Sequence, residues 1–254
     1  MSFGLGHGRT LDDAPGVVGV SPAELPALPD EAMTNPSLGH IDPRGWFKEP
    51  SAPFELEIGC GKGSFMLQEA AANPSTNYLG IEWAREFYLY AADRVRRRAL
   101  PNVRMLHTDA TEFLKWRCPG EIIRVIHLYY SDPWPKARHH KNRVVQDAFL
   151  AQVYRVLAPG GELRVVTDHV ELWAWCEEHF ARWTDGARAA EVLPHLEKAL
   201  GGSARRADLP RPPFERRGFE APTWADDDEL IGTNYEKKTR AAGRPPNACV
   251  LVKR

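Results

Sequence analysis

From residue 54 onward, short apolar runs alternate with stretches whose apolar residues recur every three or four positions. Phe54-Glu55-Leu56-Glu57-Ile58 reads as a strand, a glycine-rich turn follows, and the pattern predicts a helix over about 62–73 that Asn73-Pro74 closes. The alternation continues through strand 78–82, helix 84–98, strand 103–107, a short helix near 110–116, strand 122–129, helix 145–157, strand 162–167 and helix 170–183. In helix 145–157, Phe149, Leu150, Val153, Val156 and Leu157 repeat at helical spacing and read as core, and Pro159-Gly160-Gly161 breaks the pattern. Strands and helices alternating at this spacing imply right-handed crossovers, hence an α/β fold with a doubly wound, mostly parallel sheet and helices on both faces. Ala248-Cys249-Val250-Leu251-Val252 predicts a last strand, added antiparallel at the sheet edge.

Outside this alternation the chain changes character. Residues 1–53 hold eight of the 21 prolines, mixed with glycines and without a period, and read as a flexible Pro/Gly-rich extension ahead of one domain at 54–254. Residues 184–213, rich in Ala, Arg and Pro, read as a helix followed by a linker ending in Pro210-Arg211-Pro212-Pro213. Hydrophobic content of 43% with 26% charged residues is that of an ordinary globular protein. A net charge of −1 excludes a globally basic nucleic-acid binder, so any such contact needs a local patch. Cys60, Cys118, Cys176 and Cys249 lie far apart and read as reduced thiols, with no metal-ligand spacing. No apolar run approaches the roughly 18–20 residues that span a bilayer, so a cytoplasmic protein without a membrane partner is expected.

The candidate chemistry lies where the strands end. Gly59-Cys60-Gly61-Lys62-Gly63-Ser64 follows the first strand, at the place where doubly wound folds bind nucleotides. Ser64 stands where a dinucleotide fingerprint needs its third glycine, and Lys62-Gly63 fails the phosphate-loop pattern. Glu57 precedes the loop, Glu82 ends the second strand and Asp109 follows the third. Three acids at successive strand ends converge on one sheet edge, where carboxylates can accept from ribose hydroxyls, an adenine amine or a cationic amino-acid head. Helix capping is the competing explanation for Asp109. An acidic rim repels a diphosphate and favours a sulfonium and an ammonium.

After the fourth strand comes Asp132-Pro133-Trp134-Pro135-Lys136-Ala137-Arg138-His139-His140-Lys141-Asn142-Arg143, a carboxylate and an aromatic ahead of a basic cluster. A charge run is usually a solvated loop; the acid and aromatic directly upstream favour phosphate contact here. Asp226-Asp227-Asp228-Glu229 reads as a solvated acidic loop, and Trp173, Trp175 and Trp183 as core or helix-face residues.

The acids and glycine loop resemble the cofactor half of Rossmann-like class I methyltransferases. The segment 132–143, with Thr167-Asp168, Gly232-Thr233-Asn234-Tyr235-Glu236-Lys237-Lys238 and Gly243-Arg244-Pro245, resembles the bacterial tRNA (guanine-N7)-methyltransferases over about residues 54–254. Tyr130-Ser131 departs from the family's usual Phe-Pro, and Asn142 stands where Arg is common. The resemblance implies an S-adenosylmethionine-dependent enzyme acting on the variable-loop guanosine at position 46 of tRNA. It implies Glu82 on the ribose, Asp109 on the adenine, and Glu57 with Gly59, Gly61 and Gly63 at the methionine end. It makes Asp132 catalytic and cofactor-binding, and gives Trp134, Lys136, Arg138, His139, Lys141, Arg143, Asp168, Thr233, Asn234, Tyr235 and Glu236 to the tRNA substrate. A catalytically silent RNA-binding protein and a small-molecule or protein methyltransferase share much of this pattern, and monomer and homodimer both stay open.

Overall fold

The computed structural model describes Leu5, Leu11, Gly19–Val20 and residues 22–201 and 212–254. Its strands are β1 (Gly19–Val20), β2 (Phe54–Ile58), β3 (Asn77–Glu82), β4 (Val103–His107), β5 (Ile123–Tyr129), β6 (Leu157–Thr167), β7 (Phe214–Arg217) and β8 (Asn247–Lys253). Its helices are α1 (Ser64–Ala72), α2 (Arg85–Arg97), α3 (Ala110–Trp116), α4 (Asp147–Val156), α5 (Val170–Thr184), α6 (Ala189–Ala199) and α7 (Asn234–Ala241). The strands form one sheet in the order β1-β4-β3-β2-β5-β6-β8-β7. β1 to β6 are mutually parallel, and β8 runs antiparallel to both of its neighbours.

Every residue of β2 is buried, as a central strand covered on both faces requires. The faces are legible in alternate residues: Tyr78 and Met105 pack in one cluster with Met66, Leu67 and Ala91, whereas Leu79, Ile81 and Leu106 join the larger core with Phe149, Leu150 and Val153. The five residues predicted as core in α4 and just after it are all buried. Trp183 is fully buried, and Trp173 and Trp175 pack on the larger core.

Several boundaries differ from the sequence reading. β6 starts at Leu157, which pairs with Ile123; a register shift between Ile123 and Val125 absorbs Pro159-Gly160-Gly161 before pairing resumes at Glu162. A Cβ on Gly161 would lie 2.9–3.1 Å from three backbone carbonyl oxygens, so the glycine permits this crowded bulge. β8 is not the sheet edge, because β7 pairs outside it. α7 has no counterpart in the sequence reading: only Glu236 and Thr239 of its residues are buried, so it carries no apolar stripe to read.

Within the N-terminal extension, Gly19–Val20 pairs with β4 as β1, and residues 22–53 carry four short 3₁₀ turns. Phe47 enters the main core, Arg104 Nε donates to the Trp46 carbonyl at 2.9 Å, and Asn77 Nδ2 donates to the Glu49 carbonyl at 2.8 Å. Those anchors are tertiary and leave no period in the sequence. Of the expected linker, residues 202–211 lie outside the described residues.

Candidate active site

Because β2 to β6 are parallel, the residues that follow them share one edge of the sheet. The chain runs outward from β2 to β3 and β4, then returns to β5 on the other side of β2, which opens a crevice between the two branches. Glu82 and Asp109 stand on one branch, Asp132 and Asp168 on the other, and the glycine loop between them.

The loop turns through left-handed backbone at Gly59 (φ 70°), Gly61 (φ 53°) and Gly63 (φ 67°), conformations that glycine adopts without steric cost. Added Cβ atoms on Gly59 and Gly61 would meet nothing within 4 Å, whereas one on Gly63 would lie 3.2 Å from Ala91 Cβ. The first two therefore border open space and the third seats α1 on α2. Glu82 spans the loop: its Oε2 accepts from Gly61 N at 2.7 Å and its Oε1 from Ala84 N at 2.8 Å.

Glu57 is 7% exposed, and its Oε2 is buried without a hydrogen-bond partner among the described residues. Burial, reinforced by the Glu82 charge, pushes its carboxyl from the ordinary 4.5 up to about 8. An acid so placed gains from a cation brought beside it. Asp109 caps α3, accepting from Thr111 N at 2.7 Å, Thr111 Oγ1 at 2.6 Å and Glu112 N at 3.2 Å. All three bonds go to Oδ1; Oδ2 receives none of them. The orphaned Glu57 oxygen and the open space at Gly59 and Gly61 fit the amino-acid head of S-adenosylmethionine. Trp83, directly after Glu82, is 71% exposed.

On the other branch the chain leaves β5 under strain. Tyr130 (φ 52°) and Trp134 (φ 42°) both adopt left-handed backbone, at a cost of about 1–3 kcal/mol each. They bracket Asp132, which is exposed. Residues Ala137–Asn142 form a 3₁₀ turn, and the Trp134 ring meets His139 edge-on at 5.8 Å. Lys136, Arg138 and Lys141 are exposed, but Arg143 is only 3% exposed. Arg143 Nε donates to the Pro133 carbonyl at 2.9 Å, and its guanidinium lies 5.2 Å from the Trp175 ring centroid. The structure thus splits the basic cluster, with Arg143 inside the loop.

The C-terminal elements frame the same mouth. Glu236 is fully buried and accepts from Leu230 N at 2.7 Å, Ile231 N at 2.8 Å and Arg240 Nε at 2.9 Å. Thr233 Oγ1 caps α7 by accepting from Glu236 N at 3.2 Å. Both residues build the loop and are not presented at its surface. Asn234 and Tyr235 are exposed, and the Tyr235 ring lies 4.7 Å from that of Tyr130. Burial and then the Asp168 carboxylate push the Tyr235 phenol up, against the opposing Arg244 guanidinium. Asp168 is buried, with Arg244 Nη1 at 2.9 Å from its Oδ2 but off the hydrogen-bond direction. Of the acidic run, Asp226, Asp227 and Asp228 are exposed as a solvated loop requires, and only Glu229 is buried, paired with Lys237 at 3.1 Å.

The sheet order, with the glycine loop at the point where it reverses, is that of a Rossmann-like fold. Residues 51–198 match the model of a family described as "Putative methyltransferase". The chain is 39% identical over 170 residues to the tRNA (guanine-N(7)-)-methyltransferase of Alkalilimnicola ehrlichii, covering 66% of this chain and 68% of that protein. It is 35% identical to that of Halorhodospira halophila, over 75% of this chain and 79% of the relative. To that of Nocardia farcinica it is 36% identical, over 80% and 68% respectively. The chain belongs to the tRNA (guanine-N(7)-)-methyltransferase family.

Proposed function

We propose that the chain transfers the methyl group of S-adenosylmethionine to N7 of a guanosine in tRNA, the variable-loop guanosine at position 46 in standard tRNA numbering. The observation that carries this reading is the turn after β5: Asp132 and Trp134 stand across the crevice from the glycine loop, and the exposed cations Lys136, Arg138 and Lys141 follow at once.

Bound S-adenosylmethionine supplies an electrophilic methyl on a sulfonium. Glu57 and the Gly59–Gly63 loop hold its amino-acid end, Glu82 accepts from the ribose, and Asp109 accepts from the adenine through the oxygen its helix cap leaves over. Guanine N7 has a free lone pair at neutral pH, so no residue has to remove a proton from the nucleophile. What remains is placement and charge. As the purine took on the methyl group and its positive charge, the Asp132 carboxylate beside the base would stabilise that charge more in the transition state than before it. Trp134 walls the guanine, which must leave its tertiary contacts to be reached. Asn234 and Tyr235, on the loop that Thr233 and Glu236 fix, line the mouth beside Tyr130, and Asp168 joins them from the end of β6. Lys136, Arg138, His139 and Lys141 meet the RNA backbone, positioning the tRNA without reading its sequence. The cytoplasm, where tRNA is matured, is the corresponding location.

The test is mass spectrometry of nucleosides from tRNA lacking N7-methylguanosine after incubation with the protein and S-adenosylmethionine. N7-methylguanosine confined to the variable loop is expected; a methyl on any other atom, or none despite cofactor binding, overturns the reading.

A further inference from the structure

Arg143 is a buried cation at the end of an otherwise exposed basic loop, and its contacts lead inward. As the residue after the 3₁₀ turn, it donates its backbone N–H to the His140 carbonyl at 3.0 Å. Gln146 Nε2 ties the returning chain by donating to the Lys141 and Arg143 carbonyls, each at 2.8 Å. Trp175 is fixed under the guanidinium by its own Nε1, which donates to the Val145 carbonyl at 2.6 Å. Arg143 Nε then reaches the carbonyl of Pro133, the residue between Asp132 and the strained Trp134. Arg143 Nη2 is buried and without a partner among the described residues, so this guanidinium is closed to an RNA phosphate in this conformation.

We propose that Arg143 is a positioning residue for methyl transfer: it holds the Asp132-Pro133-Trp134 turn from beneath through the Pro133 carbonyl, braced on Trp175, and does not contact tRNA phosphate. The proposal rests on the reading of Asp132 as the charge-stabilising group. A guanidinium suits this place because its Nε, one atom short of the guanidinium carbon, donates to the Pro133 carbonyl while that carbon sits over the indole; a lysine keeps the charge but carries its donors only at the tip of the side chain. A backbone carbonyl held from the side opposes relaxation of the left-handed Trp134 into an ordinary conformation.

Arg143→Lys separates the two roles. In single-turnover assays with saturating tRNA and S-adenosylmethionine, the transfer rate should fall by about 10- to 100-fold, the scale expected for a small misplacement of a reacting group. Affinity for tRNA and for S-adenosylmethionine should stay as in the wild type, and Arg143→Gln, which removes the charge, should leave the salt dependence of tRNA binding unaltered. In an Asp132→Ala background the same substitution should cost nothing further, since residues that act as one unit are not additive. Trp175→Phe, which keeps Arg143 and its bond to Pro133, should show a smaller loss confined to the rate, and it carries the test if Arg143→Lys melts below the assay temperature. A wild-type transfer rate, a flattened salt dependence, or full additivity with Asp132→Ala would each overturn the proposal. Failure of the underlying reading looks different: wild-type protein would yield no N7-methylguanosine, or Asp132→Ala would turn over normally.

Discussion

Gly61 N donates to Glu82 Oε2 at 2.7 Å, so the acid ending one strand holds the loop that follows its neighbour. A carboxylate has about four lone-pair sites, so Glu82 can keep this bond and accept ribose hydroxyls as well. Glu82→Ala should weaken S-adenosylmethionine binding by about 10- to 100-fold, the equivalent of ~1.5–3 kcal/mol for hydrogen bonds to a charged group. Calorimetric titration measures this, and wild-type affinity would remove Glu82 from the cofactor site.

The raised carboxyl of Glu57 has a signed consequence. With its folded value near 8 against an ordinary 4.5, the folded protein keeps a proton that the unfolded chain has released, so stability falls as pH rises through that window. The melting temperature of the wild type should therefore decline between pH 5 and 8 relative to Glu57→Gln. A cation bound beside Glu57 favours the ionised form. S-adenosylmethionine binding at pH 7 should then release a proton, seen as a binding heat that varies with the ionisation enthalpy of the buffer in the wild type only.

Asp132→Ala should bind S-adenosylmethionine and tRNA normally while losing transfer by about 100- to 1,000-fold, the range for removing one electrostatic stabiliser. Rapid-quench measurement of the methyl-transfer step checks it. A change in substrate affinity alone would assign Asp132 to binding.

Replacing Arg138 and Lys141 together with Ala should weaken tRNA binding and reduce the slope of log affinity against log salt by roughly 0.7–0.9 for each phosphate no longer neutralised. Filter binding over a range of salt concentrations gives the slope. An unaltered slope would return these exposed cations to a solvated surface.

Glu236→Ala would leave the Leu230 and Ile231 amides and the Arg240 guanidinium without their acceptor. The expected loss of stability is about 2–4 kcal/mol, chiefly from two backbone amides left without an acceptor, since Arg240 is partly exposed and can be solvated. Urea unfolding measures it, and a loss below about 1 kcal/mol, the net worth of a single ordinary hydrogen bond, would show that the loop re-forms its bonds elsewhere.

The sequence by itself determined the alternating strands and helices, the glycine loop and the acids at the strand ends. Those features are local: apolar periodicity sets the elements, and a parallel sheet places whatever follows each strand on one edge. Glu57, Glu82, Asp109 and Asp132 were legible for that reason. Composition could not reveal which cations of the 136–143 run face solvent, because Arg138 and Arg143 are the same residue type and only the 3₁₀ turn over Trp175 puts one outside and the other within. Nor could it reveal α7, whose helix is held by a buried Glu236 and not by an apolar face, or the anchoring of Phe47 in the core. Hydrogen bonds and ring contacts between residues distant in sequence decide these placements, and they leave no periodic trace along the chain.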